Sequence, residues 1–315
     1  MKYILKRLAT TLITLIVVTL FVFISFNLIS GDPATSILGT EATPESLAAL
    51  REQMGLNDPV IVQYLRWGTN FLKGDMGTSY SYGMSVSSMI AEKVPVTVTL
   101  SLFAFLMTVL ISIPVGLYTA KHQGGLLDRI IYSVNQVIMA IPPFFSGIII
   151  TFIFGMALRL FTPGGYVSYD VDFGAFLGYM FFPSLAIALP KTTMVVKLLR
   201  GSVLSEAKLD YVRTAYSKGN STNQVLYGHV LKNAILPVIT YLGIILADMI
   251  AGSIVVEQVF SVPGLGRILL TSISNRDYPV VMAVIVIIAM LVLVVNTVVD
   301  ILYSVIDPRI SLGDE

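Results

Sequence analysis

Long apolar runs separated by short polar breaks dominate this chain. The first covers residues 8–29, and others cover 96–120, 130–158, 176–199, 234–257 and 278–305. At 1.5 Å per residue, a run of about 20 residues crosses the ~30 Å hydrocarbon layer as a helix. Lipid offers no partner for a free backbone N–H or C=O, so such runs must satisfy their backbones internally. The pattern therefore predicts an all-α integral membrane protein of six transmembrane helices, with both termini on the same side. Lys2, Lys6 and Arg7 precede the first run. That run is too long for a signal peptide and lacks a small-residue cleavage site after it, so it is read as a retained helix.

Between the first two runs lies a polar region, 30–95. Within it Thr43 and Pro44 have the chemistry of a helix start and Gly55 that of a left-handed stop, so this region is expected to be folded. Pro114, the Pro142–Pro143 pair and Pro237 fall within or at the ends of spans and predict kinks there. Lys and Arg sort by side: Lys2, Lys6, Arg7, Lys121, Arg129, Lys197, Arg200, Lys208, Arg213, Lys218, Lys232 and Arg309 on one, but only Arg159, Arg267 and Arg276 in the short loops of the other. The positive side is cytoplasmic by the usual bias, which places both termini inside.

Composition narrows the chemistry. The 315 residues are 55% hydrophobic and 12% charged, whereas a soluble domain is about a quarter charged. A net charge of +1 gives no field for nucleic acid. Cysteine is absent, which removes disulfides, thiolate metal sites and cysteine nucleophiles. His122 and His229 are far apart with no ligand-spaced partner, so no metal site is expected. No G-x-x-x-x-G-K-[ST] occurs, nor any Gly-Lys dipeptide, so ATP is not bound by a P-loop of this chain. A G-x-S-x-G nucleophile elbow is missing as well, and the chain is not read as an enzyme.

One polar passage, within 200–232, concentrates positive charge. Asp210 suits an N-cap, residues 211–218 suit two helical turns, and Gly219 suits the left-handed stop. Ser221 and Gln224 form a capping-box pattern that starts a second helix leading to Pro237. Tyr211 aligns with Ala215 and Val212 with Tyr216 at i, i+4, while Arg213 and Lys218 point elsewhere. A helix of about 12 Å is too short to be stable alone. Two readings stay open on this physics: a plug for a groove in another protein, or an amphipathic helix lying on lipid headgroups.

Within the spans, Asp248 lies deep in the fifth, beside a small-residue stripe of Gly243, Ala247 and Ala251. Asn135, Gln136, Lys191 and Asn296 are further polar residues at or near such depth, with Lys191 able to snorkel outward. Asp248 is a candidate for lining a wet pathway, together with Asn135 and Gln136, or for a structural hydrogen bond.

The passage around Ala215, Gly219 and Ile235-Leu236-Pro237 resembles the "EAA" loop of bacterial ABC-importer permeases. Asp210-Tyr211-Val212-Arg213-Thr214-Ala215 followed by Lys218-Gly219 is similar in particular to the peptide/nickel subfamily, in the B-type subunit of oligopeptide and dipeptide systems. Further matches are Gly31-Asp32-Pro33-Ala34, Gln63-Tyr64-Leu65-Arg66-Trp67, Gly74-Asp75-Met76-Gly77-Thr78, Phe260-Ser261-Val262-Pro263-Gly264-Leu265-Gly266-Arg267, Arg276-Asp277-Tyr278-Pro279 and Asp307-Pro308-Arg309. Tyr216-Ser217 departs from the pattern, since relatives often carry a basic residue and an alanine there.

The resemblance implies a type I ABC-importer permease fold in a bacterial cell membrane. Residues 1–29 are then the cytoplasmic start and first helix, 30–95 an extracytoplasmic region, and 96–315 a five-helix core with a cytoplasmic coupling loop, 200–232, and an outer re-entrant loop, 258–277. It implies that Asp210, Tyr211, Val212, Arg213, Ala215, Tyr216 and Gly219 meet an ATPase, and that Pro263, Gly264 and Gly266 shape the outer loop. Implied partners are a second homologous permease, two ABC ATPases that carry ATP and Mg, an extracytoplasmic binding protein, a peptide substrate and the lipid bilayer, with no nucleic acid. Nickel chelates or other small solutes are the alternative cargo. An ion-coupled secondary transporter or channel is the alternative class.

The charge pattern makes a topological prediction. Single cysteines placed at Ser81 and Ser217 should label oppositely with an impermeant thiol reagent on intact cells, with Ser81→Cys reacting and Ser217→Cys protected. The reverse pattern overturns the orientation.

Overall fold

The computed structural model describes residues 2–29, 33–38 and 43–306. The motif residues 31–32 and 307–309 lie outside it. Helix α1 (Lys2–Ile29) is followed by the shorter α2 (Pro33–Leu38), α3 (Pro44–Met54), α4 (Val60–Leu72) and α5 (Val86–Ala91). Then come α6 (Val94–Lys121), α7 (Leu126–Met139) and α8 (Pro143–Ile150), the last continued by a π-helical stretch over Thr151–Ala157. Helix α9 (Phe173–Glu206) leads to α10 (Asp210–Ser217) and α11 (Thr222–Val225), and a second π-helical stretch, Leu226–Val230, joins α11 to α12 (Leu231–Ala234). Helices α13 (Leu236–Val259), α14 (Leu265–Ser274) and α15 (Tyr278–Ile306) complete the order.

Five of these, α1, α6, α9, α13 and α15, are long and apolar enough to cross a membrane. The sixth predicted span, 130–158, is a bent pair instead: α7 and the α8 segment meet at 108°. Pro142 and Pro143 explain the break. Neither has an N–H to continue the ladder of α7, and a residue before proline is pushed to extended geometry. Pro142 is extended, at φ −62 and ψ 148, and Pro143 opens α8 at its first turn. Pro114, Pro183 and Pro190 by contrast sit inside continuous helices. The hydroxyl of Thr193 donates to the Pro190 carbonyl at 2.7 Å.

The chain divides into two compact units. The first joins the described residues up to Val96 with Pro263–Thr297. Here Thr43 caps α3 by accepting from Ser46 N, and Gly55 closes it at φ 67, as the sequence predicts. Helix α4 lies along α1: Trp67 and Tyr64 each bring their rings to 5.6 Å from Phe23, and the Tyr64 and Thr19 hydroxyls pair at 2.9 Å. Gln63 donates to the carbonyls of Leu56 and Asp58, which fixes the turn before α4. Two of the quoted motifs meet in this unit. The buried Asp277 carboxylate accepts from the Ser79 hydroxyl and from Tyr80 N and Ser81 N, so it organises the loop after Gly77. Burial, and then the nearby Asp277 charge, push the Tyr80 hydroxyl up to about 12.

The second unit comprises Thr97–Val262 and the described residues from Val298. Its centre is α9, whose Met180, Ile187, Val195 and Leu199 are buried, packed against α13, α8 and α7. Two sites show why small and polar residues sit among the large ones. The buried Glu257 accepts from Thr97 at 2.6 Å and from Ser253, one turn back on α13, at 3.3 Å. Gly243 lies against Val299, where an added Cβ would overlap the Val299 side chain. Small residues let helices approach closely, and Gly243 does so here.

That contact is testable. Gly243→Ala should destabilise the purified protein by about 1–3 kcal/mol through overpacking, read as a lower thermal midpoint in detergent. Adding Val299→Ala should recover most of the loss. A Gly243→Ala protein as stable as the parent would contradict this packing.

Candidate coupling and pathway site

The coupling helix α10 starts one residue earlier than expected. Leu209 is its N-cap and makes no side-chain cap bond, so Asp210 is the first helical residue and not the cap. Its charge there still faces the positive end of the helix dipole. Gly219 takes φ +83 as predicted and donates to the Tyr216 carbonyl at 2.9 Å. The capping box is complete: Ser221 N donates to Gln224 Oε1 at 2.8 Å, and Gln224 N to Ser221 Oγ at 3.4 Å.

The faces of α10 divide differently from the prediction. Val212 and Ala215 are buried against the chain itself, and Asn220 donates to the Ala215 carbonyl at 3.0 Å. Val212 borders a small pocket with Val203, Val225 and Val230. Tyr211 also turns inward. Its hydroxyl donates to Glu206 Oε2 at 2.6 Å and accepts from Asn233 Nδ2 at 3.2 Å, so it ties α10 to the end of α9 and to α12. Burial first, and then the Glu206 carboxylate, raise the Tyr211 hydroxyl above its ordinary range and keep the proton in that bond. Ala215 and Tyr211 therefore seat the helix. Arg213, Thr214, Tyr216, Ser217 and Lys218 form its outer surface.

Helix α9 carries two more polar contacts. Near its end, Arg200 grips Asp128 with both Nε and a terminal nitrogen at 2.9 Å, and Gly124 N donates to the same carboxylate at 2.9 Å. A pocket of about 250 Å³ beside this pair is lined by Tyr132, Asn135, Gln136, Lys197 and Arg200. Nine residues earlier on α9, roughly 13 Å by helix rise, Lys191 Nζ pairs with Asp248 Oδ2 on α13. One turn away, Tyr241 donates to the Met194 sulfur at 3.1 Å. Lys191 thus does not snorkel outward. The pathway candidates fall in two places, with Asn135 and Gln136 beside Arg200 and Asp248 with Lys191. A lone acid at mid-span costs at least about 2.5 kcal/mol, and a cation on the facing helix offsets that cost.

At the outer loop, the tight turn is not made by glycine as expected. Ser261 takes the left-handed conformation, φ 57. Val262 N bonds to Glu257 O at 2.8 Å and Ser261 N to Gln258 O at 3.3 Å, a Schellman stop. Gly264 is extended at φ −96 and caps α14. Pro263 is half-buried, while Gly264 and Gly266 are buried.

With this geometry in view, comparison with known proteins fixes the family. Residues 112–312 match the binding-protein-dependent transport system inner membrane component, and residues 1–101 match the N-terminal part of such membrane components. The chain belongs to this family of ABC-transporter permeases, multi-pass membrane subunits that are not themselves catalytic. It is 37% identical over 312 residues to the oligopeptide transport system permease protein AppB of Bacillus subtilis, covering 98% of this chain and 99% of that one. It is 35% identical over 308 residues to a probable peptide ABC transporter permease protein, y4tP, of Sinorhizobium fredii, covering 98% of each. The glutathione transport system permease protein GsiC of Salmonella paratyphi A is 34% identical over 310 residues, covering 98% and 99%.

Sequence reasoning did not find the partners Glu206, Asn233 and Asp128, nor the pairing of Lys191 with Asp248. The Lys191–Asp248 pair joins residues 57 positions apart and Arg200–Asp128 residues 72 apart. The available signal was a lone basic residue in each of two buried stretches of α9.

The Arg200–Asp128 grip makes a prediction. Arg200→Met should cost about 1.5–3 kcal/mol, the worth of hydrogen bonds to a charged group, as a drop in thermal midpoint. Asp128→Asn in the same chain should cost little more, because no unpartnered carboxylate remains. Full additivity of the two losses would show that they do not interact.

Proposed function

We propose that this chain forms half of the translocation pathway of a bacterial inner-membrane ABC importer for oligopeptides or dipeptides, and that α10 is its drive contact with an ATPase subunit. The observation that carries this reading is the two-faced build of α10. Its inner face is locked to the chain by Val212, Ala215 and Tyr211, and its outer face carries Arg213, Tyr216 and Lys218. A helix so short gains nothing from that outer face unless something docks on it. Arginine and tyrosine are the residues that anchor protein interfaces most strongly.

The mechanical consequence follows from where α10 is tied. A push on its outer face reaches α9 through Glu206 and the stem of α13 through Asn233, because one hydroxyl bridges both. ATP and Mg belong to the ATPases in this reading. A second, homologous permease completes the pathway, and an extracytoplasmic binding protein delivers the peptide to the outer side. Family membership and the peptide and oligopeptide permeases among the relatives support the peptide cargo. The orientation, with both termini and the 200–232 loop inside and 30–95 outside, rests on the Lys and Arg bias. The division into 1–29, 30–95 and 96–315 belongs to the same proposal, with 258–277 as the outer loop.

The test is a substitution on the outer face. Arg213→Glu combined with Tyr216→Ala should leave membrane insertion and stability unchanged but weaken ATPase co-purification at least about tenfold, the effect of roughly 1.4 kcal/mol, and stop import. Ala215→Glu should fail differently. It buries an unpaired charge in this chain's own packing, and the protein should lose stability even without a partner. If the double variant keeps ATPase binding and transport, α10 is not the drive contact and lies on headgroups.

A further inference from the structure

Lys191 and Asp248 sit near the middle of α9 and α13, yet their ion pair is not enclosed. The Asp248 side chain is 56% exposed and that of Lys191 21%. Asp248 belongs to an exposed stripe of α13 that runs Thr240, Ile244, Asp248, Ala251, Gly252 and Val255. On α6, in the same unit, the exposed stripe at the same spacing is Leu102, Leu106 and Leu110. Acyl chains fit the leucine stripe and not an open carboxylate beside two residues with almost no side chain. Water, or a solute that carries charge, fits the second.

We propose that this stripe of α13 lines the transport pathway and that Lys191–Asp248 is a charge-exchange site for the passing peptide. The Asp248 carboxylate takes the peptide's cationic groups, its terminal ammonium or a basic side chain. The Lys191 ammonium takes the peptide's carboxylates. Each displaces the resident partner. This rests on the peptide-import reading above and deepens it. The physical reason for a pair is charge balance. A lone acid in the pathway would be an uncompensated charge whenever the pathway is empty, while a lysine within reach neutralises it until cargo arrives. A zwitterion brings both signs, so exchange leaves no charge unmatched. Partial exposure matters too, because a solvated ion pair holds weakly and can be exchanged.

The test uses the complete importer. Asp248→Asn should slow uptake of a lysine-rich tripeptide about three- to fivefold relative to a glutamate-rich one, a ratio in the range of an exposed ion pair. Lys191→Gln should shift the ratio in the opposite sense. Opposite shifts are the signature, because a merely structural pair would alter both peptides equally. Equal effects, or recovery of both peptides by Lys191→Asp with Asp248→Lys, overturn the proposal. Accessibility gives a readout that does not depend on those variants folding. In this cysteine-free chain, Ala251→Cys should react with a charged, impermeant thiol reagent from one side of the membrane and be protected by saturating peptide, while Leu106→Cys should not react. An unreactive Ala251→Cys, as expected if a helix of the second permease covers the stripe, overturns it as well. If the wild-type importer takes up neither peptide while Ala251→Cys still reacts, the peptide-import reading fails and the wet stripe stands.

Discussion

The packing of α13 on α9 is the contact on which the larger unit depends. Helix α9 is buried along most of its length, and the chain leaves it directly into α10 and returns through α11 and α12 into α13. The loop that holds α10 is thus strung between the two most closely packed helices. Whatever displaces that loop must act on both together. The same packing sets Lys191 opposite Asp248 and Met194 opposite Tyr241, so polar groups at mid-span meet partners without leaving their helices.

Buried carboxylates do comparable work elsewhere. Asp128, Glu257 and Asp277 are each almost wholly removed from solvent, and each accepts from groups far away in sequence: Arg200, Thr97 and the 79–81 loop respectively. In an apolar surrounding an acid is tolerable only with donors aimed at it. Each such residue therefore fixes two segments that apolar packing alone would let slide.

What the sequence revealed, and what it hid, follows from the range of the interactions. Thr43, Gly55, Gly219 and the Ser221–Gln224 box were legible because caps act within four or five residues. The apolar runs were legible because hydrocarbon thickness sets their length. The break at Pro142–Pro143 was foreseen as a kink but not as a 108° bend, since the angle depends on what α7 and α8 pack against. The pairing of faces on α10 was legible from helical spacing. Which face turns inward was not, because both contain an aromatic and a small or branched residue, and only Glu206 and Asn233 decide it. Glycine was assigned the outer turn by habit of its backbone. In fact the hydrogen bonds at the end of α13 hold Ser261 there, in a conformation that costs a side chain roughly 1–2 kcal/mol.

The π-helical stretch at Leu226–Val230 carries a consequence for how such a chain can change in length. A π turn is an α-helix holding one residue more than its ladder needs. This one stands between the capping box of α11 and the start of α13, with Leu226 and Val230 buried and Tyr227 exposed. Deleting a single residue there would restore the regular ladder, but would also turn everything after it by about 100° relative to everything before. The stripe of α13 now holding Asp248 would then swing away from Lys191 while α10 kept its seat. The extra residue acts as a phase setting between the cytoplasmic loop and the pathway helix, and gains or losses of one residue in this stretch would need a matching change before Asp248 to leave the two ends in register.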